Sequence, residues 1–113
     1  MPGPRPFRFG VACVSPVVSG REWRERARRI EDQGYAVLVA PDHVDETKMA
    51  PVPLLAAAAE ATSSLRIGSL VLNNDFRHPV LLAKEAATLD VLSEGRLELG
   101  MGCLLYTSPS PRD

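Results

Sequence analysis

Cysteine is scarce in this sequence. Cys13 and Cys103 are the two present, and neither has the short ligand spacing of a metal site. That scarcity argues against a disulfide framework and leaves Cys13 as a buried structural thiol. Charge of one sign is not in excess either: the formal net charge of -1 supplies no basic stripe for nucleic acid and no acidic tail. No apolar run reaches the roughly 18 residues of a membrane span. Residues 1–6 are Pro-rich rather than a charged stretch feeding an apolar one, so no signal peptide is expected and the setting is cytosolic. A dinucleotide-binding turn is also lacking, because no Gly-x-Gly-x-x-Gly follows the first strand candidate and Gly100-Met101-Gly102 alone is too weak to supply one.

What is there reads as a soluble globular chain with one core, 45% hydrophobic and 24% charged. Residues 65–102 hold a strand, a loop, a helix and a further strand without interruption. Residues 66–72 are a β-branched and Leu run, and 73–78 are a polar loop. Pro79 suits the first turn of a helix, where its missing N–H costs nothing. Val80, Ala83 and Ala87 with Leu82, Ala86 and Leu89 give that helix a broad apolar face. Gly95 closes it, and residues 96–100 begin the next strand. Such an order points to a right-handed βαβ crossover and a parallel sheet.

The earlier chain repeats the pattern. Residues 7–14 are the first strand candidate. Ser19 with Glu22 fits a capping box, and Trp23, Ala27 and Ile30 share one face of a helix that stops at Gly34. Its other face, with Glu22–Arg26 and Glu25–Arg29 at i,i+4, is a solvated one. Residues 36–40 form a continuous apolar strand, as expected where both faces are covered. The connection over 41–52 carries Asp42, His43, Asp45, Glu46 and Lys48, and its length makes it a candidate functional loop. Residues 53–62 make the second helix. Ala36, Arg66 and Arg96 recur at about thirty residues, one βα unit per step, and eight such units would need about 240 residues, the size of a (β/α)8 barrel.

The run over residues 76–102, FRHPVLLAKEAATLDVLSEGRLELGMG, with Pro41-Asp42-His43 at the end of the second strand, resembles the luciferase-like monooxygenase superfamily, and within it the F420-dependent oxidoreductases of actinobacterial type. The likeness extends over residues 7–102. It implies an α/β chain forming the first half of a (β/α)8 TIM barrel, with about four parallel strands and three helices, and a parent that is a homodimer. It also implies a flavin-type cofactor at the carboxyl ends of the strands, coenzyme F420 with FMN as the alternative, and hydride transfer to or from a small organic substrate. By the same resemblance His43 is the catalytic candidate, since an imidazole can donate a hydrogen bond or shuttle a proton near neutrality. Asp42, Leu70, Val71 and Asn73 are the cofactor-binding candidates, with a non-prolyl cis peptide expected between Leu70 and Val71. Asp42 orients His43, accepts from the cofactor or caps the following turn. Asn73 addresses the polar edge of the ring or serves turn chemistry. Arg77 and His78 precede a helix start that could receive a phosphate, although Arg77 reads more readily as structural. Asp90, Ser93 and Arg96 belong to the stability end of a barrel.

Two departures accompany the resemblance. The acidic residue that some sugar-phosphate-oxidising relatives carry after the first strand is not evident at Val14, Ser15 and Pro16, so glucose-6-phosphate is a poor substrate expectation. Residues 103–113, CLLYTSPSPRD, look like a translated sequencing-library adapter and are set apart from the fold, as is a flexible stretch over residues 1–6. A half barrel of this kind is not expected to turn over. A non-catalytic module that dimerises through its open strand edges is the reading of a different class.

Overall fold

The computed structural model describes residues 6–13, 15–43 and 49–102. The expected tail with Cys103, most of the expected flexible N-terminus, and Val14, Asp45, Glu46 and Lys48 lie outside the described residues. The chain runs β1 (Gly10–Ala12), α1 (Gly20–Asp32), β2 (Val37–Ala40), α2 (Pro51–Ala61), β3 (Arg66–Ser69), β4 (Leu72–Asn73), α3 (Pro79–Leu92), β5 (Leu97–Glu98) and β6 (Met101–Gly102). Strands β1, β2, β3 and β5 pair in that order, each pairing parallel. Strands β4 and β6 continue β3 and β5 as a separate parallel pair. Four parallel strand paths and three helices are therefore in place, with α1 against α2 and α2 against α3.

The strands are shorter than the apolar runs that predict them. The run over 66–72 breaks in two, the strand that begins over 96–100 ends at Glu98 and resumes at Met101, and the break is built from Ser69 and Gly100. The Ser69 hydroxyl donates to the Gly100 carbonyl at 2.8 Å and accepts from the Gly100 N–H at 2.9 Å, taking the place of ladder bonds. Gly100 is required by that approach: a Cβ there would lie 2.4 Å from the Ser69 carbonyl oxygen. Beyond the break the Leu72 N–H donates to the Gly100 carbonyl at 2.7 Å and the Asn74 N–H to the Gly102 carbonyl at 3.1 Å. Asn73 therefore belongs to a short strand and not to the loop its polarity predicts.

One side of the sheet carries the core. Leu38, Ala40 and Ile67 point to the helices and pack with Trp23, Ala27, Ile30, Leu55, Ala58, Leu65 and Leu89, and Cys13 is buried among them as expected. On the other side Arg8, Arg66 and Glu98 meet, with Arg66 Nε 2.7 Å from the Glu98 carboxylate and Arg8 bonded to the same oxygen. The two guanidiniums, Arg8 first, hold the Glu98 carboxyl below its usual range against the opposing effect of partial burial.

The helices start and stop largely for local reasons. Ser19 caps α1 by accepting from the Glu22 N–H at 3.1 Å, but the Glu22 carboxylate reaches back to the Val18 N–H and not to that of Ser19. Gly34 and Gly95 take positive φ just after α1 and α3, the left-handed conformation that satisfies the last carbonyls. Helix α2 begins at Pro51, before the expected 53, because a proline is tolerated throughout the first turn. In α3 the expected broad face divides: Leu82, Ala86 and Leu89 turn toward the protein, whereas Val80, Ala83 and Ala87 are exposed, Val80 by 71%. At about 100° per residue the centres of the two sets lie about 125° apart around the cylinder.

At the amino end of the sheet Arg96 ties α2 to the next strand. It donates to the carbonyls of Ala59 and Leu65 at 2.9 Å, to Thr62 Oγ1 at 3.0 Å and to the Ser93 carbonyl at 2.6 Å. Ser93 is fully buried, and its hydroxyl bridges the Asp90 carbonyl and the Arg96 N–H. This is the stability cluster expected of Asp90, Ser93 and Arg96, with the Asp90 side chain itself exposed. No described helix is long and apolar enough to cross a membrane.

Candidate functional site

All the candidate residues fall at the carboxyl ends of adjacent strands. Pro41, Asp42 and His43 leave β2, while Leu70, Val71 and Asn73 lie where β3 passes into β4. The peptide bond between Leu70 and Val71 is cis, at the position that the resemblance implies. The Leu70 N–H still pairs with the Ala40 carbonyl at 3.0 Å, so this corner is stitched to the end of β2. Leu70 leaves 61% of its surface exposed, a large apolar side chain at the rim, and His43 is half-buried.

Asp42 holds the two loops together. It is buried, and its Oδ2 accepts from the Asn73 N–H at 2.8 Å and from Arg77 Nη1 at 2.6 Å. Arg77 Nη1 also reaches the Asn73 carbonyl at 3.2 Å. Among the described residues Asp42 has no hydrogen bond to His43, and its Oδ2 anchors the next strand. A carboxylate flanked by a charged guanidinium and a backbone N–H is the arrangement in which a buried negative charge is tolerated.

Asn73 is 4% exposed. Its Oδ1 accepts from the Asp75 N–H at 2.9 Å, closing an Asx turn, and its carbonyl also accepts from the Phe76 N–H at 3.2 Å. The turn chemistry expected of it as an alternative is present, and it uses one end of the carboxamide only. His78 caps α3, with Nδ1 accepting from the Val80 N–H at 3.1 Å, so one of the N–H groups open to a phosphate at that helix start already has a partner.

Arg77 is the member that the linear chain undervalues. It lies thirty-five residues from Asp42, beyond the reach of any helical or strand spacing, and the one local hint is an arginine two residues ahead of a helix-opening proline. Between the first turns of α1 and α2, a hollow of about 390 Å³ is lined by Val17, Trp23, Met49, Pro53, Leu54 and Ala57 among others. None of the candidate residues lines it.

Comparison with known proteins follows the same geometry. The family described as luciferase-like monooxygenase matches residues 6–107. The flavin-dependent trigonelline monooxygenase, oxygenase component, of Acinetobacter baylyi is 36% identical over 83 residues, covering 70% of this chain and 23% of the relative. An F420-dependent glucose-6-phosphate dehydrogenase of Segniliparus rotundus is 33% identical over 104 residues, covering 86% of this chain and 31% of the relative. Among solved structures, the coenzyme F420 dependent tetrahydromethanopterin reductase from Methanopyrus kandleri superposes with a TM-score of 0.73 at 30% identity, covering 83% of this chain and 26% of that one. The chain thus spans between about a quarter and a third of the length of the relatives it matches.

Proposed function

Since the chain belongs to the luciferase-like monooxygenase family, we propose that it carries the first part of the cofactor site of an F420-dependent oxidoreductase acting on a small organic substrate. The observation that supports the reading best is the convergence of His43, Leu70, Val71 and Asn73 at the carboxyl ends of neighbouring parallel strands, where barrel enzymes place their chemistry. A flat, partly apolar ring with one polar edge needs an apolar wall and a few fixed polar groups. Leu70, apolar and exposed at the corner, and Val71 supply such a wall, and Asn73 and His43 supply polar atoms beside it. The residues present are therefore compatible with the ring.

In this reading the bound cofactor supplies a ring carbon that exchanges a hydride with the substrate. Leu70 and Val71 support one face and exclude water from it. Asn73 contacts the polar edge. His43 holds or moves a proton at an imidazole nitrogen beside the substrate. Asp42 positions Asn73 through its backbone N–H. We extend the proposal to a homodimeric parent protein with a cytosolic setting, and to a substrate other than glucose-6-phosphate, although F420-dependent dehydrogenases of that sugar are among the relatives.

A second reading, FMN in place of the deazaflavin and monooxygenation as the reaction, is favoured by the flavin-dependent relative. Fluorescence titration of F420 and of FMN against the chain separates the two. Saturable binding of F420, tighter than that of FMN, is the expected result. Tighter FMN selects the second reading, and binding of neither removes both.

A further inference from the structure

We infer, resting on the cofactor site proposed above, that Asn73 meets the bound ring only as a hydrogen-bond donor, so that the atom it recognises is a ring acceptor, a carbonyl oxygen or an unprotonated nitrogen, and not a ring N–H.

A carboxamide offers one acceptor oxygen and one NH2 group, and its two ends are told apart by their partners. Here the partner decides. The Asp75 N–H lies 2.9 Å from Asn73 Oδ1, and turning the carboxamide over would set donor against donor. The oxygen is thus committed to the Asx turn. The backbone is committed too: the N–H donates to Asp42 Oδ2, and the carbonyl accepts from the Phe76 N–H and from Arg77. What is left is Nδ2. Among the described residues it donates to nothing, and it is not sealed from solvent, since no buried side-chain polar atom lacks a partner.

An asparagine that is almost wholly buried, with its other polar groups engaged and its backbone tied to a buried ion pair, has little freedom to rotate. Its NH2 group is a preorganised donor, so little ordering entropy is lost when an acceptor arrives. The pyrimidine-like edge common to flavin and deazaflavin rings carries both carbonyl oxygens and an N–H. A side chain that can only donate pairs with the oxygens or with an unprotonated ring nitrogen, never with the ring N–H. The inference is independent of which of the two cofactors binds.

The test is Asn73→Asp. That variant keeps the acceptor for the Asp75 N–H and replaces the NH2 group with an oxygen bearing negative charge. Titration of F420 and FMN by fluorescence, beside thermal unfolding, is expected to show at least about tenfold weaker binding of whichever cofactor the wild-type chain holds. Asn73→Asp places a further carboxylate near Asp42 and Asp75. If it fails to fold, Asn73→Ser carries the test: its hydroxyl retains a turn acceptor without charge, its reach is too short to replace Nδ2, and binding weaker by about fivefold or more is expected. Unchanged binding in the folded variant overturns the inference, as does tighter binding of Asn73→Asp, which marks a ring N–H as the neighbour. A wild-type chain that binds neither cofactor overturns the proposed function and this inference with it, whereas wild-type binding with unaffected variants overturns this inference alone.

Discussion

Asp42 Oδ2 lies 2.6 Å from Arg77 Nη1, and that contact joins the loop leaving β2 to the segment entering α3. Neither residue belongs to a helix or a strand, yet together they fix Asn73, because Asp42 takes its N–H and Arg77 its carbonyl.

Removing one partner of this pair leaves the other charge buried. Loss of one partner from a fully buried pair costs about 3 to 5 kcal/mol, and because Arg77 keeps some exposure the expected loss for Arg77→Ala is smaller, about 2 to 3 kcal/mol. Asp42→Asn retains an acceptor for the Asn73 N–H and is expected to lose less than Asp42→Ala. Urea unfolding monitored by circular dichroism measures all three, and equal stabilities for wild type and Arg77→Ala would show that the ion pair does not bind the loops together.

Arg96 is expected to matter through geometry as much as charge. Its guanidinium serves carbonyls of α2, of the segment before β3 and of the end of α3 at once, a task that a lysine ammonium cannot perform from one position. Arg96→Lys is therefore expected to lose about 2 kcal/mol or more despite keeping its charge. Amide hydrogen exchange near Thr62 should accelerate in that variant; unchanged protection there counts against the staple.

Glu31 makes stability depend on acid. Partial burial raises its pKa, but the N–H groups of Ser64, Leu65 and Ser63, with the Ser64 hydroxyl, outweigh that effect and hold it below the ordinary 4.5. The bonds run from 2.7 to 3.3 Å to one oxygen. A depressed carboxyl contributes stability above its unfolded pKa and loses it as pH falls through the folded value. The contribution is therefore complete above about pH 5 and fades below the glutamate value near 4.3. Glu31→Gln should flatten the fall in unfolding free energy between about pH 5 and pH 3, and a profile that superposes on the wild type sinks the assignment.

Gly100 leaves no room for a side chain. A Cβ would stand 2.4 Å from a backbone oxygen, which cannot swing aside as the end of a side chain can. Gly100→Ala is expected to destabilise by about 1 to 3 kcal/mol, and to weaken cofactor binding as the adjoining corner at Leu70 and Val71 shifts. Thermal unfolding together with the cofactor titration checks both; an alanine variant as stable as the wild type would mean that the Ser69–Gly100 exchange is dispensable.

Much of the fold is legible in one dimension. The capping serine at Ser19, the proline that opens α3 and the apolar runs of β2 and β3 depend on neighbours within one turn or one pleat, and the recurrence near thirty residues repeats such local signals. The amino-acid order therefore carries them directly, and with them the parallel sheet and the strand ends where a site belongs. His43 and Asn73 are legible as candidates for that reason, with the resemblance supplying their roles. What the order of residues cannot express is which distant groups meet. The Asp42–Arg77 pair, the Ser69 hydroxyl that replaces ladder bonds to Gly100 and the inward side of a helix as evenly apolar as α3 were decided by packing between segments distant in the chain, some thirty residues apart for the two polar contacts. Periodicity says only that a face exists. Which face is buried, and which hydrogen bond a side chain spends, follows from the shape and donors of whatever the folded chain brings against it.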